Sequence, residues 1–212
     1  MTLPQTALVL HALASIAAMT LLVPALTEAF GGPVGYLLSL CAYWLGFCLP
    51  VIFFHLRRRD SRLFGEKLAW RDWWVPGLLL LQVGMVALMA LVPNTAHLTT
   101  HAAMLAALVG IINGPLEEIA WRGGFMTRFA TRPALGFGLS WLLYSASHLP
   151  LLLSHGITFD GGWMVLLGGA VALGLLWSWI AWRTGSVFWV AIAHALVDII
   201  TFWVLFDRNG FA

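Results

Sequence analysis

Charge is scarce in this chain. Asp, Glu, Lys and Arg together make up 9% of 212 residues, against 61% hydrophobic types, whereas soluble domains carry about 25% charged residues. That scarcity excludes an ordinary water-exposed surface and leaves a lipid bilayer as the solvent. A basic face is lacking as well: the net charge of +2 comes from a few clusters between apolar runs, which speaks against a nucleic-acid partner. Cysteine is limited to Cys41 and Cys48, seven apart in one apolar run. Helical spacing stacks them on one face about two turns apart, too far for a disulfide, so they say nothing of the redox compartment. Polar linkers, low-complexity tracts and clear repeats are also lacking, and the chain reads as a single transmembrane domain over 1–212.

What the chain has in abundance is apolar runs. About 20 apolar residues cross a bilayer as a helix, and seven runs of that order occur at 6–27, 33–55, 73–92, 102–127, 134–153, 163–182 and 186–206. The predicted fold is all-α, a polytopic integral membrane helix bundle of about seven transmembrane helices, within bounds of six to eight. Met1 to Gln5 carry no Lys or Arg, and the run after them is long for a signal peptide, so a retained span is expected. Twelve tryptophans suit the two interfaces.

Arg57, Arg58, Arg59, Arg62, Lys67 and Arg71 fall between the second and third spans, and alternation puts Arg128, Arg132 and Arg183 on the same side. Nine of the eleven basic residues then share the side that the positive-inside rule makes cytoplasmic. A cytoplasmic N-terminus and an external C-terminus follow, with Arg208 outside and Arg122 within the membrane. Glu28, Asp60, Glu66, Asp72, Asp160 and Asp207 sort to loops or ends. Glu117, Glu118 and Asp198 do not.

These intramembrane acids belong to three polar constellations. A charge in hydrocarbon costs at least about 2.5–3.5 kcal/mol on insertion scales, and function is the usual reason to carry one. In the fourth span, Glu118 and Arg122 share a helix face and can pair, while Glu117 points about 100° away and is left as a candidate general base or metal ligand. In the fifth, Tyr144 stands one turn before His148, where its hydroxyl can orient the imidazole or meet a substrate; alone, the pair fits interhelical glue as well. In the last, His194 and Asp198 place a carboxylate beside an imidazole, which fixes a tautomer or shares a metal or water, or else satisfies itself in the core. One shared cavity is the economical arrangement of all three. Glu117, His148 and His194 would hold Zn2+ with a position open for water, or the same groups would activate water without metal while stabilising an oxyanion. Both routes lead to hydrolysis.

The fourth span is interrupted at Asn113-Gly114-Pro115. Proline favours the first helical position, so a new helix is expected to begin at Pro115, capped by Asn113 or Gly114, with both glutamates in its first turn near the positive end of the dipole. A kinked continuous helix is the other reading. His11, without a partner in the first span, and His55, His97, His101 and His155, at span ends or in loops, read as structural or solvated.

Glu-Glu-x-x-x-Arg at 117–122, aromatic-x-x-x-His at 144–148 and His-x-x-x-Asp at 194–198, in that order on successive apolar helices, resemble the CPBP family. This family comprises the CAAX prenyl proteases of the Rce1 type and bacterial relatives in bacteriocin processing and immunity, also called the Abi family. The resemblance covers about 113–198, with a family-like core at about 102–206, and the first 110 residues match only as apolar spans. It implies an intramembrane endopeptidase of the CAAX-protease type in the plasma (inner) membrane of a prokaryote, surrounded by lipid and cutting a peptide or protein substrate, lipidated or not. Carried over by position, Glu117 activates the water, Glu118 and Arg122 support it, and His148 and His194 hold water or metal and stabilise the tetrahedral intermediate. Asp198 completes the last motif, and Tyr144 orients or touches substrate. Such enzymes are described both as zinc metalloproteases and as glutamate-dependent. Tyr144 stands where the family usually has phenylalanine. Asp198 stands where the Rce1-type enzymes have asparagine, and its added negative charge beside His194 tilts the expectation toward a metal.

Two further classes fit the same polar cluster: a catalytically silent membrane binding or scaffold protein, and a small proton-coupled transporter. Against the transporter, the Gly114-Pro115 break has no counterpart in the first half of the chain.

Overall fold

The computed structural model describes residues 1–56, 63–65 and 68–211; the expectations for Arg57, Arg58, Arg59, Asp60, Arg62, Glu66 and Lys67 lie outside them. Among the described residues there is no strand, as an apolar solvent demands of a chain that must satisfy its own backbone. The helices are α1 (Leu3–Phe30), α2 (Gly32–Tyr43), α3 (Trp74–Ala90), α4 (Thr100–Glu117), α5 (Gly124–Arg128), α6 (Pro133–Ala146), α7 (Gly162–Thr184) and α8 (Phe188–Arg208). Wide π-type turns prolong α2 at Trp44–Cys48 and Val51–His55 and join α4 to α5 at Glu118–Gly123.

Six stretches are long and apolar enough to cross a membrane: Leu3–Phe30, Gly32–His55, Trp70–Asn94, Thr100–Arg128, Gly162–Thr184 and Phe188–Arg208. The fifth expected span is shorter as an α-helix. Helix α6 has 14 residues, about 21 Å, and a 3₁₀ segment at Leu149–Leu153 adds about 10 Å. Together they match a hydrocarbon core of about 30 Å. The protein is an all-α polytopic integral membrane protein.

Hydrogen bonds identify the two ends of the bundle. At one, Gln5 Nε2 donates to the Arg128 carbonyl (3.0 Å), Arg128 Nη2 to the Phe54 carbonyl (2.8 Å), Val187 N to the Leu63 carbonyl (2.8 Å), and Arg183 pairs with Asp72 (2.8 Å). At the other, His155 N donates to Thr27 Oγ1 (2.9 Å), Thr99 N to Asp207 Oδ1 (2.9 Å), and Arg208 pairs with Asp160 (2.8 Å). Successive passes thus alternate in direction, and Leu3 and Arg208 lie at opposite ends. Arg71, Arg128, Arg132 and Arg183 belong to the first, hereafter the basic end.

The closest helix pair is α4 with α8. A Cβ at Gly110 would lie 2.8 Å from Ile199 N, and one at Gly114 would lie 2.5 Å from Ala195 N. Two glycines four apart therefore let the backbones touch, which is how helices gain van der Waals contact where lipid removes the hydrophobic drive. Gly35 does the same for α1 and α2 against Leu26 and Thr27.

Three local expectations are corrected. Helix α4 runs unbroken through Pro115 to Glu117, because packing on α8 holds the helix together and the wide turn that follows absorbs the mismatch; neither glutamate lies at a helix N-terminus. Cys41 is exposed and Cys48 buried, since the π-type turn from Trp44 rotates the later face away from the earlier one. His11 does have partners: its Nε2 lies 2.9 Å from the Gly46 carbonyl, and its ring meets Phe47 and His55.

Candidate active site

Glu117 closes α4 and Glu118 opens the π-type turn. Close packing of α4 on α8 through Gly114 and Ala195 sets both carboxylates against His194, in the second turn of α8. Glu118 Oε1 accepts from Arg122 Nη1 at 2.9 Å and lies 2.8 Å from His194 Nδ1. The other ring nitrogen of His194, Nε2, faces Glu117 Oε2 at 3.5 Å and Asp198 Oδ1 at 3.4 Å. Glu118 and Arg122 are completely buried, and Glu117, His194 and Asp198 nearly so. The expected Glu118–Arg122 pair is present. The 100° separation of the two glutamates does not prevent both from reaching the same imidazole, because that ring stands between them.

Arg122 is held on every side: Nη2 donates to the Gly174 carbonyl (3.2 Å), Nε to Ser178 Oγ (3.3 Å), and its guanidinium lies 4.0 Å from the Tyr144 ring centroid. Such saturation suits a buried cation, whose desolvation is offset only by complete hydrogen bonding. His148 sits where α6 gives way to the 3₁₀ segment. Its Nδ1 lies 3.0 Å from the Tyr144 carbonyl. A carbonyl only accepts, so Nδ1 donates and Nε2 is the nitrogen left for other partners. The Tyr144 ring meets His148 edge-on at 4.9 Å and His194 at 6.2 Å. Tyr144 thus orients His148 through its carbonyl and ring, and the hydroxyl expected to do this is not the contact.

Two cavities meet at this cluster. The larger, of about 640 Å³, has Asn113, Glu117, Tyr144, His148, His194 and Asp198 at its inner end and mostly apolar walls from α3, α7 and α8. The smaller, of about 40 Å³, lies on the α1 and α2 side among Met19, Ser39, Tyr43, Ser147 and Pro150, and also touches Glu117 and His148. It has room for about one to three waters, with hydroxyl and carboxylate partners at hand.

The fit to zinc is poor. Among the described residues no three His, Cys, Asp or Glu side chains are placed to hold one metal ion.

Several contributors escaped the sequence reading. Asn113, expected as a cap, accepts from Trp44 Nε1 (2.8 Å) and donates to Asp198 Oδ2 (2.9 Å). Trp177 stacks on His194 at 4.1 Å. Gly174 and Ser178 hold Arg122, and their spacing of four from each other on α7 was the available signal. For Trp177, among twelve tryptophans, no local signal existed.

Residues 99–200 match the family model described as Rce1-like, type II CAAX prenyl endopeptidase Rce1-like. No curated protein and no solved structure matches the chain. The matched stretch, a little under half of the chain, carries Glu117, Glu118, Arg122, Tyr144, His148, His194 and Asp198, the residues that the bundle brings together, and through it the chain is similar to the Rce1-like family of membrane proteases.

Proposed function

We propose that this protein is an intramembrane endopeptidase that hydrolyses a peptide bond by a glutamate-dependent route. The observation that carries the reading is that Glu117 and His148 stand at the junction of a peptide-sized cavity and a water-sized one, with His194 beside Glu117 in the larger. Water from the smaller cavity gives a proton to the Glu117 carboxylate as its oxygen attacks the scissile carbonyl. His148 accepts the second water hydrogen at Nε2 and so directs the oxygen lone pair. His194, polarised by Glu118 and Asp198, donates from Nε2 to the oxyanion, in a site dry enough for that hydrogen bond to count. The C–N bond then breaks, and Glu117 returns its proton to the leaving amine. Arg122 holds the Glu118 carboxyl in place. No step needs a metal, consistent with the donor geometry.

The sorting of Arg71, Arg128, Arg132 and Arg183 to one end supports a cytoplasmic basic end, hence a cytoplasmic N-terminus and an external C-terminus, in a prokaryotic plasma membrane. Lipid surrounds the bundle, and the substrate is a peptide or protein.

The test is cleavage by purified wild type and Glu117→Gln of prenylated and membrane-spanning peptides, read as new termini by mass spectrometry. Products from wild type alone are expected. Equal products from both proteins would remove Glu117 from the mechanism, and products from neither would favour the binding protein.

A further inference from the structure

The larger cavity opens sideways. Near the basic end, α3 and α7 are pinned together: the rings of Trp74 and Trp179 lie 5.3 Å apart, and Trp177 Nε1 donates to Gln82 Oε1 at 3.2 Å. Past these contacts, toward the opposite end, the two helices line the cavity instead, with Val86 and Met89 on α3 and Val165 and Gly168 on α7. Met89 and Val165 are 70% and 57% exposed, on segments that cross the membrane, so the gap between them gives onto lipid. A Cβ at Gly168 or Gly169 would meet nothing within 4 Å; that rim is open. Toward the basic end, among the described residues, Glu118 and Arg122 next to the catalytic groups are fully buried.

The lining also identifies what the opening admits. His194, Asp198 and Thr201 recur on one face of α8 along the cavity, and Asp160 stands at its outer end. An extended polypeptide in lipid needs partners for every N–H and C=O that no helix satisfies. A polar stripe running from the outer end to Glu117, between apolar walls, provides them, whereas a lipid chain has no use for it.

We infer that the substrate is an apolar, membrane-embedded polypeptide segment that enters sideways between α3 and α7, in the half of the membrane away from the basic end, and so from the extracytoplasmic leaflet. This rests on the hydrolase reading for the fate of the segment, but not for its route.

The test uses the full-length Glu117→Gln protein in sealed vesicles with a fluorescent leucine-alanine peptide of about 20 residues. A photo-crosslinking residue at Val165 is expected to capture the peptide, one at Leu13 on the lipid face of α1 is not, and Gly168→Leu is expected to lower capture at Val165 by about tenfold or more. Equal capture at both positions, or capture indifferent to Gly168→Leu, would overturn the entrance. The side is tested in cells with single cysteines in a Cys41→Ser, Cys48→Ala background. An impermeant maleimide is expected to modify Thr158→Cys in intact cells and Thr131→Cys only after permeabilisation, and the reverse would overturn it. If wild type cleaves nothing while capture behaves as expected, the hydrolase reading fails and the entrance stands.

Discussion

The carboxylate of Glu118 accepts from Arg122 and meets His194 while fully out of solvent, so its partners hold an ion that lipid would expel. Removing one partner is expected to be worse than removing both. Arg122→Met should lower stability by about 3–5 kcal/mol by stranding the carboxylate, and Glu118→Leu combined with Arg122→Met should recover part of it; thermal unfolding in detergent reads both. Glu117→Gln is expected to reduce kcat by about 10²–10⁴-fold, the usual worth of a general base, with the melting temperature retained. Tyr144→Phe keeps the carbonyl that orients His148 and the ring beneath Arg122, and so is expected to cleave at the wild-type rate. Chelators followed by zinc re-addition are expected to leave the rate unchanged, because among the described residues no three donor side chains are placed to hold one ion; loss on chelation and recovery with zinc would refute the metal-free route. At this scale the motif residues were legible, since acids and imidazoles are rare in an apolar chain. Asn113 was misread because Asn-Gly-Pro resembles a helix cap locally, and the Trp44 and Asp198 partners that decide its role come from other helices.

Among the elements, the α4–α8 contact decides whether the two glutamates meet His194 at all. A methyl at Gly114 collides with backbone at Ala195, which has no side chain to swing away. Gly114→Ala is therefore expected to lower stability by about 1–3 kcal/mol and to reduce activity further than stability alone explains, by parting Glu117 from His194. Gly84→Ala, on the α3 surface where a Cβ meets nothing within 4 Å, is the control and should change neither. The spans themselves were readable from apolar runs, but two features were not. Continuity of α4 through Pro115 depends on its packing against α8, which no local propensity encodes. The shortness of α6 depends on His148 and Pro150 leaving the α-helix for a 3₁₀ path, within a run whose hydropathy never falters.

For the whole molecule, the consequential feature is that Glu117 and His148 stand between two cavities, one sized for a peptide and one for water. Filling the small one should starve the reaction without disturbing substrate. Ser39→Val, which adds a methyl to that wall, is expected to lower kcat by about tenfold with KM unchanged, while Ser39→Ala, which enlarges the space, leaves kcat intact; a rise in KM instead would assign Ser39 to substrate binding. The sequence alone determined that the chain lives in lipid as a helical bundle and that three polar pairs belong together, because lipid penalises each buried charge so heavily that composition and spacing report it. Only the tertiary structure decided which imidazole nitrogen meets which carboxylate, that α4 stays whole, and where the cavities open. Those outcomes turn on ångström-scale contacts between helices far apart in the chain, and no periodicity within one helix records its neighbour's surface.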